Sequence, residues 1–166
     1  TRPVDVDYQL ITNVDGLAAF LAAATSQGFL AIDTETTGLN AAAADLVGVS
    51  MALAPGKACY VPLRHGAVAT ETGNAQGGLD FSAEAPVSYK QIGFETAMAM
   101  LRPIFEDPAI LKIGHNLKYD SHILLWARNG GIKLSTVDDT MCLSYVLDGG
   151  RVGGHSMDHL AKHWLD

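Results

Sequence analysis

Residues 29–63 read FLAIDTETTGLNAAAADLVGVSMALAPGKACYVPL. Phe29 to Asp33 is an apolar run that suits a buried strand. Leu46 to Ala54 predicts a second strand and Lys57 to Leu63 a third. Between them, Pro55-Gly56 has the chemistry of a type II turn, because proline presets φ and glycine accepts a positive φ. The stretch therefore predicts a hairpin beside a strand that ends in carboxylates.

Working outward, Thr12 is expected to open a helix, with Asp15 at capping-box spacing. Leu17, Phe20, Leu21 and Ala24 recur at i, i+3, i+4 and i+7, and Gly28 stops the helix. Residues 66–88 change to Gly, Ala, Thr, Ser and Asn, which predicts a long surface loop, either a functional flap or, the favoured reading, a tolerated insertion. A helix with Phe94, Ala97, Met98, Leu101 and Phe105 on one face follows, and Pro103 should kink or end it. Ile110 to Gly114 predicts a strand, and Tyr119 to Arg128 a helix stopped by Asn129-Gly130-Gly131. A short strand near Leu134 to Val137 leads to a helix capped by Asp138 or Asp139. Ser156 caps a last helix carrying Met157, Leu160, Ala161 and Trp164. The order α, β, β, β, α, β, α, β, α, α is mixed α/β, an antiparallel meander joined to parallel strands and flanked by helices.

The 166 residues suffice for one domain, and 48% hydrophobic against 17% charged excludes a disordered chain. No apolar run approaches the roughly 18 residues of a membrane span, and the N-terminus has no signal-peptide core. No membrane partner is expected. Cys59 and Cys142 cannot build a disulfide framework, so a reducing, cytoplasmic setting fits, and both read as small core residues. The absence of a CxxC or Cys/His cluster argues against structural zinc. Eleven basic against eighteen acidic residues, net −7, exclude a protein that coats duplex DNA through a basic stripe. They permit an enzyme whose carboxylates gather divalent metal, which restores attraction to phosphate.

Asp33 and Glu35, two residues apart on a strand, point to one side of a sheet, and strand ends are where α/β proteins bind ligands. Like charges held together are unfavourable without something positive between them. Mg²⁺ or Mn²⁺, which takes hard oxygen ligands, is the simplest partner. A bare Asp-x-Glu is more often a cap or a turn. A second strand-to-helix junction, IGHNLKYD at 113–120, places Asp120 in a first helical turn. By itself it reads as a carboxylate complementing the helix dipole. Two such strand ends in one sheet shift the balance toward a shared site. His155, His159 and His163 at i, i+4, i+8 read as solvent-facing, because no HExxH glutamate accompanies them. Arg151 and His155 are further candidates for phosphate contact.

Together, LAIDTETTGL, LKIGHNLKYD, VGVSMAL with PG and ACYVPL, then DDTMCLSYVL and HSMDHLAKHWL, resemble the 3′–5′ exonuclease domain of bacterial DNA polymerase I, in the DEDD superfamily. The likeness covers nearly all of the chain outside 66–88. It implies a ribonuclease H-like fold and two-metal hydrolysis at a DNA 3′ end, with Mg²⁺ or Mn²⁺, two ions per complete site. By the same resemblance Asp33 bridges the metals, while Glu35 and Asp120 are further ligands. Thr36 and Leu39 hold the terminal nucleotide, and Asn116 and Tyr119 line the single-strand groove. The implied partners are a single-stranded DNA 3′ end and a polymerase domain of the same full-length chain.

The family's third motif, Tyr-x-x-x-Asp, has no counterpart, since no Asp here has Tyr four residues earlier. The sister pattern His-x-x-x-x-Asp is met only at His115 and Asp120, inside the second motif. The expectation is a C-terminally incomplete exonuclease domain over 1–166, cut before that motif and therefore weakly active. Alternatives are an RNA-directed exonuclease of the ribonuclease D type, or a non-catalytic module that binds DNA or braces a polymerase.

Overall fold

The first helix starts at Asn13 rather than Thr12. The Asn13 side chain accepts the N–H of Gly16 at 2.8 Å, the bond an N-cap makes. α1 (Val14–Gln27) buries Leu17, Phe20, Leu21 and Ala24 and ends at Gly28, whose φ of 81° suits glycine. The computed structural model describes residues 6–66, 89–149 and 153–165. The expected loop lies outside them apart from Gly66, as does Arg151.

β2 (Phe29–Thr36) follows, then β3 (Leu46–Ala54) and β4 (Lys57–Pro62), joined through Gly56 at φ 80°. Both ladders are antiparallel, with Glu35 opposite Gly48 and Gly48 opposite Pro62. β5 (Leu111–Gly114) adds parallel to β2, and β6 (Val137–Asp139) parallel to β5. An additional strand, β1 (Asp7–Leu10), pairs parallel with β4, completing the order β1-β4-β3-β2-β5-β6. The meander plus parallel strands is thus the observed sheet.

α2 (Phe94–Phe105) buries Ala97, Met98, Leu101 and Phe105, and ends two residues after Pro103. Buried Lys112 donates to the carbonyls of Asp107 (2.7 Å) and Ile110 (2.6 Å), near the C-terminal end of that helix. α3 is Leu117–Leu125, starting and stopping earlier than its sequence suggests, and a 3₁₀ turn takes 127–129. β6 lies three residues later than the expected strand. α4 (Thr140–Asp148) is capped by Asp139 and α5 is Met157–Leu165. Cys59 is buried as expected. Cys142 is exposed, because α4 turns it away from the core.

Along β2, Leu30, Ile32 and Thr34 are buried while Asp33 and Glu35 are exposed. The buried row joins the core with α1, α2 and the inward residues of β3 and β4. On the carboxylate face, Ala31, Ser50, Ala52, Ala58 and Ile113 floor an apolar cavity of about 370 Å³ that Met157 borders. Val146 and Leu147 on α4, with Trp164 and Leu165 on α5, are exposed apolar side chains.

Candidate active site

Pairing of β2 with β5 ends at Ala31 and Ile113, so the last residues of β2 project past β5. Asp120, in the first turn of α3, occupies that gap. Its Oδ1 accepts the Thr34 N–H at 3.0 Å and the Thr34 hydroxyl at 2.6 Å. A cavity of about 560 Å³ opens there, walled by residues 33–39 on one side and by His115, Asn116, Tyr119 and Asp120 on the other. Asp33, Glu35, Thr36, Leu39, Asn116, Tyr119 and Asp120, the seven residues singled out from sequence, all line it.

The corner between β5 and α3 is tightly made. A Cβ at Gly114 would collide with the Leu117 side chain, and Asn116 takes a left-handed φ of 61°. Asp139 braces this corner. Its carboxylate accepts the N–H groups of Asn116 (3.0 Å) and Leu117 (2.8 Å) while capping α4 at Met141 (2.9 Å). Burial pushes its pKa up, but these bonds pull it down further, so it lies below the usual carboxylate value. Opposite, the Tyr119 hydroxyl donates to the Gly38 carbonyl at 2.5 Å and sits 2.7 Å from the Thr36 hydroxyl. This holds the loop whose tip is Leu39, 96% exposed.

Burial raises the pKa of Asp33, against the Thr34 N–H and the nearby His115, which lower it. Burial also raises Asp120, and the charge of Asp33 adds to it, while the Thr34 bonds oppose it. The ion pairs among the described residues, Arg102–Glu106 and Arg128–Asp45, include neither carboxylate. His115 adds an unmet need. The Thr140 hydroxyl donates to the Gly114 carbonyl, so it accepts from His115 Nδ1 and does not serve Nε2. That Nε2 is buried without a partner among the described residues. Two neighbouring carboxylates without a Lys or Arg in ion-pair reach form a donor set short of positive charge, which fits a divalent cation. With Asp120 turned to Thr34, no three His, Cys, Asp or Glu among the described residues form a ready metal cluster.

A family model for the 3′–5′ exonuclease domain matches residues 8–166. The chain belongs to this 3′–5′ exonuclease family. Similar curated proteins include DNA polymerase I of Rhizobium leguminosarum, 38% identical over 99% of this chain, and that of Pseudomonas aeruginosa, 34% over 97%. The chain spans 16% of the length of each. Similar solved structures include the catalytic core of RRP6 from Trypanosoma brucei, at TM-score 0.64 and 16% identity, covering 96% of this chain and 35% of that one. Brucella melitensis NrnC with bound Mg²⁺ matches at TM-score 0.59 and 19% identity, covering 98% and 63%. These likenesses show the ribonuclease H-like exonuclease fold.

Three side chains at or beside this candidate site were not among the site residues chosen from sequence: Thr34, His115 and Asp139. Thr34 carried a signal, a polar residue on the inward row of a buried strand. Asp139 read as a cap, and its second task at Asn116 has no local signature. The histidines at 155, 159 and 163 do not assemble. His155 Nδ1 is 2.8 Å from the Ser144 hydroxyl and its ring stacks on Tyr145, while His159 faces His163 at 6.5 Å.

Proposed function

We propose that this exonuclease domain removes nucleotides from the 3′ end of single-stranded DNA in a metal-dependent reaction that serves proofreading. The observation that carries the reading is the meeting of Asp33, Glu35 and Asp120 with Thr36, Leu39, Asn116 and Tyr119 around one cavity. Asp33, Glu35 and Asp120 would hold Mg²⁺ or Mn²⁺, two ions in a complete site. Such ions would supply charge that draws in the scissile phosphate, activates water and stabilises the leaving 3′ oxygen. Thr36 and Leu39 hold the terminal nucleotide, with Leu39 as a wedge on a loop anchored by Tyr119. Asn116 and Tyr119 line the path of the strand. The Asp139 brace keeps the Asn116 corner rigid, so the strand meets the carboxylates in a reactive alignment. The partner is a polymerase domain of the same polypeptide, as in the relatives named DNA polymerase I. No described helix is long and apolar enough to cross a membrane.

The test is nucleotide release from 3′-labelled single strands with Mg²⁺, by residues 1–166 and by a polypeptide extended through a Tyr-x-x-x-Asp motif. The extended protein should release mononucleotides and lose that activity on Asp33→Ala, and the shorter chain should be much slower. Equal, Asp33-dependent rates would place a complete site within 1–166. Preference for RNA strands would favour the ribonuclease D-type reading.

A further inference from the structure

The candidate site has a continuation along α3 that neither the motifs nor the proposed mechanism uses. Tyr119, His122 and Trp126 follow one another at i, i+3 and i+7, which places them on one side of the helix. Tyr119 lines the site cavity. Beyond it, His122, Leu125 and Trp126 with Ala42 of the facing loop enclose a second cavity of about 330 Å³. Trp126 is 46% exposed and Leu125 56%. A large apolar ring left half in water is costly unless a partner covers it at some stage.

The walls of this second cavity are held in place. Arg128 donates to the Ala42 carbonyl at 2.8 Å and pairs with Asp45 at 3.2 Å, fixing the facing loop. Its guanidinium lies 5.3 Å from the Trp126 ring centroid, within cation–π range. Buried Asn129 donates to the Ala44 carbonyl at 3.1 Å and accepts the Leu46 N–H at 2.9 Å, tying the same loop to β3. These bonds tie both walls of the cavity to the fold, and the Arg128 guanidinium, paired with Asp45, lies over the Trp126 ring.

We propose that this cavity is a second nucleotide subsite, in which Trp126 stacks on a base of the single strand upstream of the 3′ end bound at Asp33. This rests on the exonuclease reading above. The seven-residue step from Tyr119 to Trp126, the residue that caps the C-terminal end of α3, advances about 10 Å, the rise of about three stacked nucleotides. A strand leaving the carboxylates past Tyr119 therefore reaches Trp126 within a few nucleotides. Stacking on an aromatic ring is indifferent to base identity, as an exonuclease that works through any sequence requires.

The chain offers its own reporter, because Trp126 and Trp164 are its two tryptophans. In a Trp164→Phe background, with Mg²⁺ present and phosphorothioate linkages at the 3′ end to slow cleavage, single-stranded DNA octamers should quench the remaining fluorescence. Dinucleotides, too short to span from the carboxylates, should not. Trp126→Ala should lower the ratio of octamer to dinucleotide affinity about tenfold, and Trp126→Phe should restore most of it. An octamer that binds without quenching Trp126, or an affinity ratio unchanged in Trp126→Ala, would overturn the subsite. Asp33-dependent release of nucleotides separates the two ideas: if it persists while the quench is absent, the subsite alone fails. If octamers quench Trp126 but Asp33→Ala leaves nucleotide release untouched, the catalytic reading fails and the subsite stands.

Discussion

Asp120 and Thr34, 86 residues apart in sequence, are joined by two hydrogen bonds to one carboxylate oxygen, from the Thr34 hydroxyl at 2.6 Å and its N–H at 3.0 Å. Asp120 is 3% exposed, so it has little water to fall back on. The pair ties the second motif to the first and sets where Asp120 stands relative to Asp33.

Thr34→Val keeps the shape and removes one donor to a buried carboxylate. The expected cost is about 2 kcal/mol of stability at neutral pH. The pKa of Asp120, already raised by burial, should rise further because a bond that favours its charged form is gone. Urea denaturation and carboxyl titration by NMR check both, and Thr34→Ser should recover most of the stability.

The pH dependence of Asp33 has a definite sign. Its folded pKa lies above its ordinary 3.8, so its contribution to stability is full below that value and is lost as pH rises through the folded pKa. Asp33→Asn should therefore raise Tm at neutral pH, and the gain should shrink toward zero as pH falls to 3.8 and below. Mg²⁺ should raise the Tm of the wild type and have less effect on Asp33→Asn, because an ion that binds the folded state stabilises it by mass action. A neutral-pH Tm that falls in Asp33→Asn would show that burial is not the dominant influence on this carboxylate.

Asp139→Ala removes the α4 cap and the brace on Asn116 and Leu117 together. A loss of about 2 kcal/mol is expected at neutral pH. The folded pKa here is depressed, so its contribution is present above 3.8 and lost as pH falls through the folded pKa. The wild-type advantage over Asp139→Ala should therefore narrow only in acid, which thermal melts from neutral pH down to strongly acidic buffers would show.

Tyr119→Phe keeps the ring and removes the hydroxyl that holds the Gly38 carbonyl. The Leu39 tip should loosen, raising KM for single-stranded DNA about fivefold, the equivalent of one ordinary hydrogen bond, with a smaller change in kcat. Steady-state kinetics on the extended, active polypeptide decide this, and a fall in kcat at unchanged KM would place Tyr119 in the chemistry instead.

Much was readable in the chain because the forces concerned are local. LVGVSMALAPGKACYVPL specifies its hairpin through apolar strand residues and the Pro-Gly turn, and β3 has the boundaries read from sequence. Alternation along FLAIDTET places Asp33 and Glu35 on one face, since successive strand side chains point to opposite sides. By contrast β1 left no pattern, for all four of its residues are exposed and it exists only by pairing with β4. The start of α3 was misplaced for a related reason. Asn116 adopts a left-handed backbone held by the carboxylate of Asp139, 23 residues later. Asp120 reading by itself as a dipole partner, the His115–Asp120 spacing as a chance match inside the second motif, and Asp139 as a cap were each consistent with their own neighbourhoods. Tertiary structure alone decided that Asp120 meets Thr34, that Asp139 spans two elements and that the His115 Nε2 is buried without a partner among the described residues. Hydrogen-bonding needs set by burial depend on which distant segments the fold brings together, whereas periodicity and turn chemistry are written within a few residues.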